Sequence, residues 1–250
     1  TMREVLSLDG TALVALCWGH ETLSVFRKEG AAVRMRAYAV PSGTEVATTL
    51  LPIGVDWVLP AAHASAALVT WNPLGRGEPR WGAIVLRGPR LDEAERIDTR
   101  AVESVCGGRI ASIALAGNGE QVAAMTADAQ KESRLAIMDR GGTIRSVTSV
   151  GFDMPSARLL WSHGNGLLLV WRRFDGPARG GAIWRLDRPT IRELAWLGED
   201  SAHGAAHVSP DGKRIATVVV RNSAERVIGV VVELDGQPEP SAQVSASQRE

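Results

Sequence analysis

The sequence predicts an all-β protein, a β-propeller of about five four-stranded antiparallel blades. Three observations carry this prediction. A hairpin signature recurs at a near-constant interval, a third and a fourth strand follow most copies, and helix signals are almost absent. Internal repetition is read first, because it sets the whole architecture.

The clearest hairpin runs from His207 to Val219, with its turn at Asp211-Gly212. Asp-Gly is a strong hairpin signal because both central residues can take positive φ there. The same grammar reads in Leu6–Leu16 around Asp9-Gly10, in Leu115–Met125 around Asn118-Gly119, and in Trp161–Trp171 around Asn165-Gly166. Ala61–Trp71 is a degenerate copy around Ser65. Aligning Gly10, Ser65, Gly119, Asn165 and Gly212 spaces the copies by roughly 46–55 residues, close to the period of a four-stranded blade.

Third strands are expected at 33–40, 82–86, 134–138, 181–186 and 227–234, each ending near a Gly or Pro turn. Fourth strands are weaker, as in Glu45–Leu50 and Ile191–Leu197. Leu91–Ile97 could form a turn or two of helix, but it sits where a fourth strand or a loop belongs. The blades fall near 1–54, 55–104, 105–152, 153–200 and 201–250, with the propeller domain over 1–236. The Pro/Ser/Gln-rich tail 237–250 reads as a linker or a disordered end, with Gln243–Ala246 the part able to close the ring as an outer strand. A β-sandwich also turns every 8–12 residues or so, but it lacks the longer superperiod.

Composition limits the function classes. The chain has 250 residues, 45% of them hydrophobic and 22% charged, which is globular rather than disordered. The formal net charge is zero, which argues against a protein whose main task is gripping a nucleic-acid backbone. No run approaches the ~18 apolar residues of a membrane span. No charged-then-apolar leader opens this sequence, whose Thr1-Met2 start looks like a boundary with a signal, anchor or domain upstream. The compartment stays open between periplasmic or extracytoplasmic and cytoplasmic. Cys17 and Cys106 form no CxxC pair, and a bridge between them stays open. Eight Trp against one Tyr and three Phe suggest large packing wedges. Ala, Arg and Gly richness points to a GC-rich bacterial genome.

Ser209-Pro210-Asp211-Gly212-Lys213-Arg214-Ile215-Ala216 resembles the WD40-like PD40 repeat of TolB-type bacterial propellers. Leu8-Asp9-Gly10 is a partial match, and Gly117-Asn118-Gly119 and Gly164-Asn165-Gly166 are looser ones. The Trp-Asp dipeptide of eukaryotic WD40 repeats and the Asp-box of sialidases are missing. The motif is specific for a blade and not for an activity. The resemblance implies a scaffold that binds a protein or peptide on one face or in the central channel.

Polar residues of the expected first strands are the candidate contact residues: Asp56, His63, Arg158, His163, His203 and His207. Inner strands line a propeller channel, and these are their polar members. His63 and His163 share a repeat position before the hairpin turn. His203 and His207, four apart on one strand, are expected to point to one side. No ligand spacing such as CxxC or HExxH accompanies them, so neither a metal nor a cofactor is expected. No GxSxG is present, and the catalytic half of a prolyl oligopeptidase would need several hundred further residues. Trp71 with Trp171, and Trp57 with Trp161, occupy matched positions and are expected to pack between blades. Trp18 has no counterpart in this alignment. The arginine-rich stretches Gly75-Arg76-Gly77, Arg172-Arg173 and Pro177–Gly180 are candidate contact loops.

The sequence thus reads as a non-catalytic interaction module for a protein or peptide partner. No nucleic acid and no membrane span are expected, and the chain is a monomer or a ring-completing dimer. The alternatives are a propeller-type small-molecule enzyme of lactonase or cyclase kind, or the propeller domain of a larger sensor or lipoprotein. Inner strands such as Ser112–Leu115 look too apolar for the enzyme.

Overall fold

The structure is a computed structural model. It describes residues 13–18, 21–51, 54–61, 65–71, 82–127, 133–139, 141–150, 158–161, 167–172, 180–186, 191–199, 201–209, 213–221 and 226–233. These form antiparallel sheets in chain order. Sheet 1 holds β1 (Leu13–Trp18), β2 (Thr22–Glu29), β3 (Ala32–Ala39) and β4 (Glu45–Leu50). Sheet 2 holds β5 (Val55–Pro60), β6 (Ala66–Trp71), β7 (Gly82–Arg87) and β8 (Glu93–Ile97). After α1 (Thr99–Cys106), sheet 3 holds β9 (Arg109–Leu115), β10 (Gln121–Ala127), β11 (Ser133–Asp139) and β12 (Ile144–Ser149). Sheet 4 holds β13 (Arg158–Trp161), β14 (Leu167–Arg172), β15 (Gly180–Leu186) and β16 (Ile191–Glu199). Sheet 5 holds β17 (Ser201–Val208), β18 (Arg214–Arg221) and β19 (Arg226–Glu233). Every sheet is a simple meander in which each strand pairs with the next.

Two compact units result. One is Thr1–Ile110, Leu115–Ala123 and Ala136–Val147, and the other is Ala111–Ala114, Ala124–Leu135 and Thr148–Glu250. In the first, sheets 1 and 2 pack face to face. Strand alternation puts Phe26, Met35 and Ala37 on one face of sheet 1. Opposite them lie Val58, Ala67, Val69 and Leu86, and Cys17, Val33, Leu51 and Leu91 complete the same buried cluster. Each fully buried side chain of this size contributes about 1.5–3 kcal/mol. The exposed ion pairs at the edge of sheet 1, Arg34–Glu29 at 2.7 Å and Arg36–Glu45 at 3.5 Å, contribute about 0–1 kcal/mol each. Apolar burial therefore decides how the two sheets meet.

First strands adjoin first strands: β1 lies beside β5 in the first unit, and β13 beside β17 in the second. The fourth strands of sheets 1 and 3 are largely polar and exposed. The pattern of β4 is Glu-Val-Ala-Thr-Thr-Leu with Glu45, Thr48 and Leu50 exposed, and Arg145, Val147, Thr148 and Ser149 of β12 are exposed as well.

Three expectations change. Sheet 1 is out of phase with the alignment that made Thr11–Leu16 a second strand: β1 is Leu13–Trp18 and pairs antiparallel with β2, which begins at Thr22, whereas Gly10 itself lies outside the described residues. Asp9-Gly10 is the stronger local signal. The apolar alternation of Thr22–Glu29, with Val25 and Phe26 wholly buried, makes that segment the second strand. Trp18 then has a counterpart after all, since it ends β1 as Trp161 ends β13.

The second change is α1, whose site was not foreseen, whereas Glu93–Ile97 is the fourth strand β8. The Asp98 carboxylate accepts from the N–H groups of Arg100 at 3.1 Å and Ala101 at 3.0 Å, and Gly107 ends the helix in the left-handed region. The third concerns tryptophan. Trp57 is 46% exposed rather than packed away, and the Trp71 indole lies over Gly82, its cross-strand partner on the same sheet. Gly82 has no room for a Cβ beneath that ring.

Candidate functional site

Four of the six candidate residues fall on first strands. Asp56 sits on β5 where the ladder shifts register between Val55 and Trp57. Arg158 opens β13, opposite Val170. His203 and His207 lie on β17, opposite Val219 and Ala216. His63 and His163 lie outside the described residues. The adjacency of β13 and β17 brings the strands of Arg158, His203 and His207 together, whereas Asp56 belongs to the other unit. The one-sided placement of His203 and His207 assumed an unbroken two-residue alternation. The β17–β18 ladder shifts register between His203 and Ala206, so a bulge interrupts that alternation.

Around these residues the first strands are knit by local hydrogen bonds. The Ser112 hydroxyl on β9 accepts from the Leu159 N–H on β13 at 2.9 Å. The Cys17 thiol on β1 donates to the Ala66 carbonyl on β6 at 3.6 Å. Burial pushes the Cys17 thiol up to about 11, so it stays protonated at neutral pH. Cys17 and Cys106 are both buried, and no disulfide joins them. Leu16 on β1 and Trp57 on β5 are each 46% exposed, so the first strands also present apolar surface.

Sequence reading missed Arg87. It ends β7 and shares the inward face of that strand with the buried Ala83 and Val85. Its side chain is 8% exposed. Nε donates to Glu95 at 3.4 Å, Nη1 donates to the Gly119 carbonyl and lies 3.9 Å from Glu120, and Nη2 has no partner among the described residues. Arg87 thus ties sheet 2 to the β9–β10 hairpin turn, where Gly119 takes φ 74° and Asn118 accepts from the Glu120 N–H at 3.0 Å. The signal was present in the two-residue period of Gly82–Arg87, which runs apolar inward until it reaches a guanidinium. The Thr22 hydroxyl makes a comparable tie from β2 to the Pro89 carbonyl.

Surface charge is locally balanced. The Arg34 hydrogen bond holds the Glu29 carboxyl below its usual range, with Arg36 and Arg27 adding to the pull. At Asp139 burial works upward, but the Thr143 N–H and the Arg145 guanidinium outweigh it and hold the carboxyl low. Among the described residues no group of three or more His, Cys, Asp and Glu is placed to hold a metal ion, and no helix is long and apolar enough to cross a membrane.

No family model and no curated protein matches the chain. Solved β-propellers do. The β-propeller domain of Cps50 (Swd1) from Myceliophteria thermophila aligns over 94% of this chain and 72% of its own, at TM-score 0.56 and 11% identity. The β-propeller domain of the Trilobed protease from Pyrococcus furiosus, described as having an open velcro topology, aligns over 92% and 71% at TM-score 0.59 and 8% identity. TolB from Acinetobacter baumannii aligns over 90% and 53% at TM-score 0.54 and 14% identity. The chain has a β-propeller-type fold. It spans 55% of the matched eukaryotic initiation factor and about half of TolB. At these identities the likeness shows architecture alone.

Proposed function

We propose that this chain is a five-bladed β-propeller of the PD40, TolB-like kind that acts as a non-catalytic interaction module for a protein or peptide. The observation that carries the reading is the placement of polar and exposed apolar residues on the first strands. Asp56 shares β5 with the half-exposed Trp57, the half-exposed Leu16 lies on β1, Arg158 lies on β13, and His203 and His207 lie on β17. An exposed aromatic such as Trp57 on a first strand suits peptide contact, where aromatic anchors supply the energy and polar groups the register. The propeller neighbours carry names as different as a protease domain and an initiation factor, which supports a scaffold reading over one shared reaction.

The test is affinity capture from bacterial lysate with the purified chain and with a variant carrying Asp56→Ala, Arg158→Ala and His207→Ala. The reading expects a protein held by the first and lost by the second at unchanged melting temperature. Equal retention by both would move the contact surface away from the first strands. Turnover of a lactone substrate by the purified chain would defeat the non-catalytic reading.

A further inference from the structure

Sheets 2 and 3 bury both faces. Ala66, Ala67, Leu68 and Val69 of β6 are all buried, as are Val122, Ala123, Ala124 and Met125 of β10, so consecutive residues meet packed neighbours on either side. Sheet 5 is composed in the same way, since β18 and β19 carry charge only at their ends. Its burial is nevertheless one-sided. Ile215 and Val230 are buried on one face, and β17 lies against β13, β14 and β15 of sheet 4. Ala216, Gly229 and Val231 share the other face, because Ala216 stands opposite Val231 and Gly229 comes two residues before it. All three are exposed, Val231 by 62%.

Gly229 is the low point of that face. A side chain there would meet nothing within 4 Å, and its φ is not positive, so the backbone does not require glycine. Glycine inside a strand forfeits packing and often marks a close approach by another group. Sheet 2 shows what such a position accepts. Gly82, also on a third strand, lies beneath the indole of its cross-strand partner Trp71, which fills the space of the missing side chain. The position opposite Gly229 holds Val218, a residue without a ring.

We propose that Ala216, Gly229 and Val231 form a seat for an aromatic side chain of a protein partner, presented on an extended segment whose carboxylate reaches Arg214. Charge complementarity supplies the second half of this description. Arg214 is on the same side of β18 as Ala216, spends its Nε on Glu233 at 2.9 Å, and keeps its two amino groups for an incoming carboxylate. It lies four residues along β18 from the position opposite Gly229, about 13 Å in an extended chain. A partner strand therefore matches the face with an aromatic residue and an acidic one four positions apart, both on one side of the strand. His207 stands opposite Ala216 in the β17–β18 ladder, which puts one candidate contact position beside the seat. The inference rests on the reading of the chain as an interaction module and names the surface and the chemistry of its partner.

An amide NMR titration of the full chain with the blocked peptide acetyl-Trp-Ser-Val-Ser-Glu-amide tests it. The amides of Ala216, Gly229 and Val231 should shift saturably. Peptides with Ala for Trp, or Lys for Glu, should bind at least about tenfold more weakly. Gly229→Val fills the seat where nothing crowds a side chain, so it should raise the thermal midpoint and weaken the peptide by a similar factor. Val231→Lys, at a side chain already largely in solvent, repeats the test independently of Gly229. Undiminished binding by both variants would overturn the proposal, and so would the absence of any saturable shift at millimolar peptide. Shifts confined to Asp56 and Trp57 on β5 would overturn the seat and leave the interaction reading standing. A dimer seen by light scattering and dissolved by Val231→Lys would overturn a separate partner and put a second copy on this face.

Discussion

Arg87 carries a guanidinium that is 8% exposed, bonded to a backbone carbonyl and to Glu95, with one amino group left over. Glu120, its other ionic neighbour, is 54% exposed and adds little. Truncation strands the Gly119 carbonyl and the Glu95 carboxylate, and losing hydrogen bonds to a charged group costs about 1.5–3 kcal/mol each. Arg87→Ala is therefore expected to lower the urea-unfolding free energy by about 3 kcal/mol. Arg87→Met keeps the buried stem and removes the desolvated charge, so it should cost less than half of that. Equal losses in the two variants would mean that the guanidinium's charge and hydrogen bonds, not the packing of its stem, are what the residue supplies. Cys17 offers a pH test. Its folded pKa is raised from 9.0 to about 11, so the native state holds its proton where the unfolded state has lost it. The contribution is present in full below pH 9 and fades as pH rises from 9 towards 11, on the order of 2 kcal/mol in all. A Cys17→Ser variant followed across that window should show a flatter decline than the parent, and iodoacetamide should reach Cys17 only on unfolding.

Among the elements, α1 shows how a short helix survives between strands. Eight residues are too few to be stable alone. Asp98 caps the start, Gly107 permits the stop, and Val102 and Cys106 are buried beneath it. Asp98→Ala should cost about 1 kcal/mol, read as a lower thermal midpoint, and Asp98→Asn should restore most of it. Capping residues at both ends were legible in Asp98-Thr99 and Gly107-Gly108, since caps are local chemistry. Glu93–Ile97 has acidic residues that suit either state, and its position in the repeat already marked it as a fourth strand or a loop. Its place as the fourth strand is set by pairing with β7. The first sheet shows the same contest: Asp9-Gly10 is the better turn by composition, but burial of Phe26 against the neighbouring sheet fixes which segments pair.

For the molecule as a whole, the even balance of acidic and basic residues has a colloidal consequence. With a formal net charge of zero at pH 7, self-repulsion is weakest there. Solubility in low salt should pass through a minimum near neutrality and rise at pH 5 and pH 9, as measured by the protein left after precipitation. A minimum displaced by more than about one pH unit would show that the folded molecule holds carboxyl or imidazole groups far from their ordinary values. The sequence by itself determined the repeating strand grammar and the hairpin turn at Asn118-Gly119, whereas the turns of the later copies lie outside the described residues. Alternation and turn preference act over two to four residues and need no tertiary context. Only the tertiary structure decided the phase of sheet 1, the bulge between His203 and Ala206, the exposure of Trp57 and the burial of Arg87. Each depends on what a neighbouring strand or sheet places opposite, and one residue's type does not encode its partner's position.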